Sequence, residues 1–181
     1  MSALNKLELQ LDVWLNKDAP IKLPASGRKS LAGAFWWLAL IIGVIQLFGA
    51  WELWHLGHLV NQLNAYSNYV ANSYGYNSAT QQLGFFYWLS LAALVADAVL
   101  LLIATPKLKQ MKKSGWDLIF YSALLNAVYS VLRIFDGVGG GVGDFIGAAI
   151  GTVVGAFILF QVREFFMSGK KAQVVPAAKT K

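Results

Sequence analysis

The chain has 181 residues, of which 57% are hydrophobic and only 13% are charged; soluble domains carry about 25% charged residues, so the composition indicates a membrane protein. It contains no cysteine, which excludes thiol catalysis, disulfide bonds, iron–sulfur ligation and cysteine-based zinc sites. The formal net charge of +6 comes from basic residues that flank apolar segments, so it predicts contact with anionic lipid headgroups and no nucleic-acid partner.

Residues 1–30 are predicted to form a cytoplasmic amphipathic helix followed by a linker. Within residues 3–17, apolar side chains recur at helical spacing while polar ones cover the opposite face. The apolar positions are Leu4, Leu7, Leu11, Trp14 and Leu15. We expect this helix to lie on the inner leaflet; the alternative is that it docks on a partner or on the protein's own cytoplasmic face. Pro20 and Pro24 then break the helix.

Four transmembrane helices are predicted within residues 31–167. Each apolar run approaches the roughly 20 residues that a helix needs to cross the hydrocarbon core. The predicted spans are about 31–52, 83–105, 115–135 and 142–166. Aromatic residues stand at the ends of these runs, as in the interfacial belts of membrane proteins. The predicted fold class is therefore all-α, an integral membrane four-helix transmembrane bundle.

The distribution of basic residues predicts the orientation of this bundle. No Lys or Arg occurs between Lys29 and Lys107, a stretch that holds the first two spans and the loop joining them. All other basic residues except Arg133 lie before the first span, between the second and third, or around and after the end of the fourth. Because Lys and Arg are retained on the cytoplasmic side during insertion, both termini are predicted to be cytoplasmic, including a basic tail at 168–181. The expected location is the inner (plasma) membrane.

The predicted outer loop, 53–82, is the one sizeable segment outside the membrane. An apolar stripe in its first half indicates that the preceding helix continues into it. Its second half is uncharged and rich in Tyr, Asn, Ser and Gln. That composition suits the headgroup region or the surface of a partner, and it equally suits a loop folded over the mouth of the bundle.

A glycine repeat is the strongest local pattern in the fourth predicted span. Glycine occurs every fourth residue, at Gly143, Gly147, Gly151 and Gly155, after an earlier Gly139. In lipid, such ridges of small residues let two helix backbones approach closely and associate through van der Waals contact. The ridge therefore predicts helix packing, either against a helix of the same chain or against another protomer.

Asp97 is the most costly residue within a predicted span. A carboxylate at this depth costs on the order of 2.5–3.5 kcal/mol on insertion scales, so it should face protein or water and have a partner. The third span offers Ser122 and Asn126 on one helical face, at a similar depth. These residues are predicted to form an intramembrane polar site. It is either a protonatable or ion-binding site or a hydrogen bond that locks two helices together.

Arg133 lies at the outer end of the third span, where three carboxylates are expected at the same level. They are Glu52, Asp136 and Asp144. We predict a structural ion-pair cluster that closes the outer end of the bundle. The alternative is that Arg133 contacts anions at the mouth of a pore.

A Glu-x-x-His spacing occurs at Glu52 and His55, with His58 three residues further on. Carboxylate-bridged metal sites in helix bundles use this spacing but normally need a second such pair, and the chain has only two His. These residues are weak metal candidates, and no metal site is predicted. The alternatives are interfacial His side chains beside Trp51 and Trp54, or a pH-sensing role.

The sequence contains clearer signals of helix packing than of catalysis. It contains no Ser-His-Asp order, no Gly-x-Ser-x-Gly elbow and no HExxH motif, so neither an enzyme nor a cofactor is predicted. The leading hypothesis is a small structural or accessory membrane subunit that forms a homo-oligomer or joins a larger membrane complex through its glycine ridge. The alternative is a small oligomeric transporter or channel that uses Asp97 and Asn126.

Overall fold

The structure, a computed structural model, describes residues 3–76, 83–132 and 142–167; at positions 3, 142–145 and 148 it describes the backbone alone. Every regular element within these ranges is a helix, so the predicted all-α class is confirmed. The helices are α1 (Ala3–Asp12), continued by a π-helical turn (Val13–Lys17), α2 (Ala25–Ser73), α3 (Phe85–Lys109), α4 (Lys113–Leu132), α5 (Val142–Gln161) and α6 (Arg163–Met167). Three of them, α2, α3 and α4, are long and apolar enough to cross a membrane.

The longest helix, α2, has 49 residues, which corresponds to about 74 Å at 1.5 Å per residue. Pro24 precedes its first turn, where the missing N–H of a proline costs least. The helix continues to Ser73, and Gly75 follows with a positive φ of 76°. The segment predicted as an outer loop, 53–82, is therefore helical as far as Ser73, because nothing between the predicted span and Gly75 breaks a helix.

Helices α2 and α3 form an antiparallel pair joined along a face of small residues. Gly43 lies against Leu102, to which a Cβ at position 43 would be only 3.2 Å. Further along α2, the carbonyl of Leu53 accepts a hydrogen bond of 2.9 Å from the hydroxyl of Tyr87. Later positions of α2 thus contact earlier positions of α3, as in an antiparallel pair. The buried residues of α2 are Ala32, Phe35, Ala39, Gly43, Ala50 and Gly57. Their spacing of three, four or seven places them on one helical face.

Helices α3 and α4 form a second antiparallel pair, joined by a tight connection. Met111 has a positive φ of 51° and its N–H donates to the carbonyl of Leu108 at 2.9 Å. Gly115 follows in the first turn of α4, where a Cβ would lie 2.7 Å from the Leu108 nitrogen. The close approach of the two helices at this end therefore requires glycine at position 115.

The main hydrophobic core lies at this same end of the bundle, which we call the base: the end where α1, the α3–α4 connection and α6 meet. Trp116 and Phe160 are fully buried and meet edge to face with ring centroids 5.3 Å apart. The indole N–H of Trp116 donates to the carbonyl of Leu159 at 3.0 Å, so its one polar group is satisfied. Phe166 of α6 is also buried here. These aromatic contacts attach the end of α5 to the start of α4.

The region of the fourth predicted span, 142–166, is divided between α5 and α6 by a break at Val162. Within α5, the apolar stretch Ala149–Gln161 is shorter than the roughly 20 residues that a helix needs to cross the hydrocarbon core. The fourth transmembrane helix therefore stays a prediction.

Helix α1 docks on the base through its acidic residues. Glu8 and Asp12 are 7% and 4% exposed, although both belong to the polar face of the predicted amphipathic helix. Leu11 and Leu15 pack against the core beside them. Trp14 instead remains 69% exposed. Of the two arrangements expected from the sequence, this geometry matches docking on the protein's own surface, and it leaves part of the apolar face uncovered.

Candidate functional site

The predicted polar site is centred on Asp97, which α3 places in the interior of the bundle. Asp97 lies on the same buried face of α3 as Ala98, Leu101 and Ala104, and only 2% of its surface is exposed. The carboxyl group is therefore held between α2 and α4, away from both ends of α3.

Two amide side chains donate to the same oxygen of this carboxyl group. The Nε2 of Gln46, on α2, lies 2.5 Å from Asp97 Oδ2. The Nδ2 of Asn126, on α4, lies 2.7 Å from the same atom and 3.0 Å from the backbone carbonyl of Ser122. The three helices are therefore connected through Asp97 Oδ2, which accepts one hydrogen bond from α2 and one from α4. The Ser122 carbonyl holds the Asn126 amide in place.

Two further oxygen atoms of this cluster, Asp97 Oδ1 and Gln46 Oε1, are buried acceptors without a donor N–H or O–H group among the described residues. A buried polar atom left unpaired costs about 1–3 kcal/mol, and more when it is charged. The Gln46 amide oxygen can only accept hydrogen bonds, and so can the Asp97 oxygen while the carboxyl group is ionised. The cluster is therefore short of donors and is chemically suited to take up a proton or a cation.

The structure brings together Asp97 and Asn126, as the sequence predicts, and it buries Ser122 beside them. Ser122 contributes its backbone carbonyl to the cluster. Sequence reasoning missed Gln46. The available signal was that Gln46 is the single polar residue in the apolar run 31–51, where an amide needs a partner.

The predicted outer ion-pair cluster lies mostly outside the described residues. Arg133 and Asp136 are not described, and Asp144 is described in its backbone alone. Glu52 is exposed on α2. The cluster stays a prediction.

The two histidines lie on the exposed part of α2 and each contacts a tryptophan one turn earlier. The ring centroids of Trp51 and His55 are 4.7 Å apart, and those of Trp54 and His58 are 5.1 Å apart. Among the described residues no group of three His, Asp or Glu side chains is placed to hold a metal ion. With Glu52, these residues form an aromatic and imidazole surface on α2.

The glycine ridge of α5 faces away from the other described helices. A Cβ built at Gly147, Gly151 or Gly155 meets no atom within 4 Å. The flanking side chains of Ile150 and Val154 are 59% and 49% exposed. For Gly143 the structure gives the backbone position in α5 and nothing of its surroundings. Gly147, Gly151 and Gly155 thus do not pack against any other described helix of the chain.

An ion-pair network at the base is the second feature that the sequence did not reveal. Arg163, at the start of α6, donates from Nε and Nη2 to Glu8 Oε1 at 3.2 and 2.5 Å, and its Nη1 lies 3.4 Å from Asp12 Oδ2. Lys113 Nζ lies 3.8 Å from Glu8 Oε2. These basic residues, expected to contact lipid headgroups, are thus engaged in holding α1 against the bundle.

Two hydrogen bonds of a buried glutamine side chain reinforce the attachment of α1 to the bundle. The side chain of Gln161 is fully buried; its Nε2 donates to the carbonyl of Leu15 at 3.0 Å, and its Oε1 accepts from the N–H of Leu23 at 3.4 Å. The last residue of α5 therefore binds the backbone on both sides of the link between α1 and α2.

Comparison of the chain with known protein families, with curated proteins and with solved structures gives no match.

Proposed function

We propose that the protein is a small multi-pass membrane protein that acts as a structural subunit and assembles with a second copy of itself through the glycine ridge of α5. The observation that carries this proposal is the open space over Gly147, Gly151 and Gly155. The ridge has the geometry for close helix packing, and no described helix of the same chain occupies it.

The proposed topology has α2, α3 and α4 crossing the membrane, with the region 142–166 as the fourth crossing. Large apolar side chains on the outside of the helices support a lipid environment, with Ile45 and Phe48 61% and 67% exposed. The basic residues at the base support a cytoplasmic position for that end, because Lys and Arg are retained inside during insertion. Both termini would then be cytoplasmic, in the plasma (inner) membrane.

The exposed part of α1 supports contact of the base with the inner leaflet. Leu4, Leu7 and Trp14 are exposed beside the face that docks on the bundle. Apolar side chains at the edge of a helix that lies along the base would enter the headgroup region, where anionic lipids attract the neighbouring basic residues. In this arrangement α1 binds protein on one face and lipid on the next.

A protein partner fits the ridge better than lipid does. Apolar side chains gain nothing by leaving lipid for another apolar surface, so helix association in membranes depends on close van der Waals contact. Glycines spaced by four residues allow that approach, and two copies of one ridge can pair around a twofold axis. Self-assembly therefore needs no surface beyond the one described.

Cysteine crosslinking in native membranes tests this proposal, because the chain has no cysteine of its own. We expect Val154→Cys, beside the ridge, to form a disulfide-linked dimer on mild oxidation. Val99→Cys, on α3 and comparably exposed at 45%, is the matched control and should remain monomeric. Adding Gly151→Leu to Val154→Cys should abolish the dimer, while adding Gly49→Leu should not, since position 49 also has open space around it.

Two results would contradict self-assembly through this ridge. One is equal crosslinking of Val154→Cys and Val99→Cys, which would indicate random collision. The other is a crosslink from Val154→Cys to a different membrane protein, which would assign the ridge to a larger complex.

A further inference from the structure

We propose that Asp97 binds a proton within the helix bundle, with Gln46 and Asn126 as its fixed hydrogen-bond partners. The proposal does not depend on the assembly proposed above. It concerns the interior of one chain, where the three side chains meet.

When Asp97 is ionised, the cluster has more buried hydrogen-bond acceptors than donors. Oδ2 accepts from two amide N–H groups, at 2.5 and 2.7 Å. Oδ1 and Gln46 Oε1 are both buried acceptors without a donor. A proton on Oδ1 changes this count, because a protonated carboxyl group is a donor as well as an acceptor.

Gln46 is the natural acceptor for that proton. Its amide already donates to the carboxyl group through Nε2, and its Oε1 is bonded to the same carbon atom as Nε2. A carboxylic acid and a primary amide can form a cyclic pair in which the N–H donates to one acid oxygen and the acid O–H donates to the amide oxygen. One proton would thereby satisfy both of the oxygen atoms that lack a donor.

The charges around Asp97 favour the neutral form. An isolated ionised carboxylate in apolar surroundings is far more costly than a neutral polar group, and it is tolerated when a cation pairs with it. The side chains that contact Asp97 in the described structure are two neutral amides. The nearest titratable groups along the two flanking helices are Glu52 on α2 and Tyr129 on α4; the first is exposed and the second bonds to Ser90 at 2.5 Å.

A metal cation fits the cluster less well than a proton. Hard cations such as Ca²⁺ and Mg²⁺ take about six or more oxygen ligands. Among the described residues the cluster offers two buried oxygens without a donor, Asp97 Oδ1 and Gln46 Oε1, while the amide nitrogens of Gln46 and Asn126 point at Oδ2. A proton needs one donor site and one acceptor, which is what these two oxygens provide.

Asn126 connects this buried group to the surface of α4. Its amide contacts Asp97, its residue is exposed, and its own backbone carbonyl accepts from the hydroxyl of Ser130 at 2.8 Å. Asn126 therefore lies between the buried carboxyl group and the surface of α4.

Infrared spectroscopy of the full chain in liposomes tests the proposal. At neutral pH we expect a C=O stretching band of a protonated carboxylic acid that disappears in Asp97→Asn and persists in Glu52→Gln, the exposed control on α2. Asp97→Asn should fold, because its amide group can donate to Gln46 as the acid does. If it does not fold, Gln46→Leu is measured instead, and the acid band should shift because the O–H loses its acceptor.

The same measurement separates a proton from a cation. The band should be equal in sodium chloride and in choline chloride. A wild-type spectrum without an acid band at neutral pH would overturn the proposal, and so would a band that is lost when sodium replaces choline, since that result would assign the two buried oxygens to a cation.

Discussion

The substitution Gly115→Ala should loosen the base of the bundle. A Cβ at this position would lie 2.7 Å from the Leu108 nitrogen and 2.9 Å from the Lys107 carbonyl carbon, whereas ordinary contacts begin at 3.4 Å. Both atoms belong to the backbone of α3, so neither can rotate away as a flexible side chain would. The two helices must separate where Trp116 and Leu108 are fully buried.

The expected loss of stability follows from two opposing contributions. Overpacking a tight contact costs about 1–3 kcal/mol. Alanine has a helix propensity up to about 1 kcal/mol better than glycine, and less of that gain applies in the first turn of α4. We therefore expect a net loss of about 1–2 kcal/mol in the free energy of unfolding.

Unfolding in mixed micelles by titration with a denaturing detergent, followed by circular dichroism, measures this loss. Gly49→Ala is the matched control, because a Cβ there meets no atom within 4 Å and should leave stability unchanged or slightly increased. If Gly115→Ala proves as stable as Gly49→Ala, the close contact between the two helices is absent in the folded protein and the reasoning is refuted.

The attachment of α1 gives a further prediction. Glu8→Gln removes the charge that Arg163 binds most closely, so we expect a loss of about 1–3 kcal/mol and faster proteolysis within α1, while the exposed Lys6→Gln should leave the cleavage rate unchanged. Equal cleavage of both variants would show that this ion pair does not hold the helix. Tyr87→Phe removes a hydroxyl that donates to the backbone of α2 and should cost about 1 kcal/mol, measured by the same detergent titration. Gly57→Ala should displace the same hydroxyl, because a Cβ there overlaps it; Tyr87→Phe should therefore cost less in the Gly57→Ala background than in the unaltered chain, and an equal cost would contradict the close packing of α2 on α3.

The helical class and part of the polar site follow from the sequence because they depend on local patterns. Long apolar runs predict helices whatever their neighbours are. Asp97 and Asn126 could be paired because a buried acid needs a donor and the third span offers one at a similar depth. Gln46 could not be assigned to the same site, since its contact depends on how α2 is rotated against α3.

The docking of α1 shows the limit of amphipathic patterns. A polar helix face normally points to water, and nothing near Glu8 in the sequence indicates otherwise. Its partner, Arg163, lies 155 residues away, so the pairing depends on the complete fold. The pattern also left open which molecule packs on the glycine ridge, because a repeat such as Gly147–Gly155 specifies a close approach but not the helix that makes it.

The contacts at the base have a consequence for the order in which the chain is made. Arg163 and Gln161 bind Glu8 and Leu15, which are synthesised well before them. Contacts over such separations form late, since the intervening chain must be ordered before they gain anything. Until Arg163 has been synthesised, Glu8 and Asp12 therefore lack the guanidinium group that holds them in the folded protein, and α1 can complete its docking only after the start of α6 has been made.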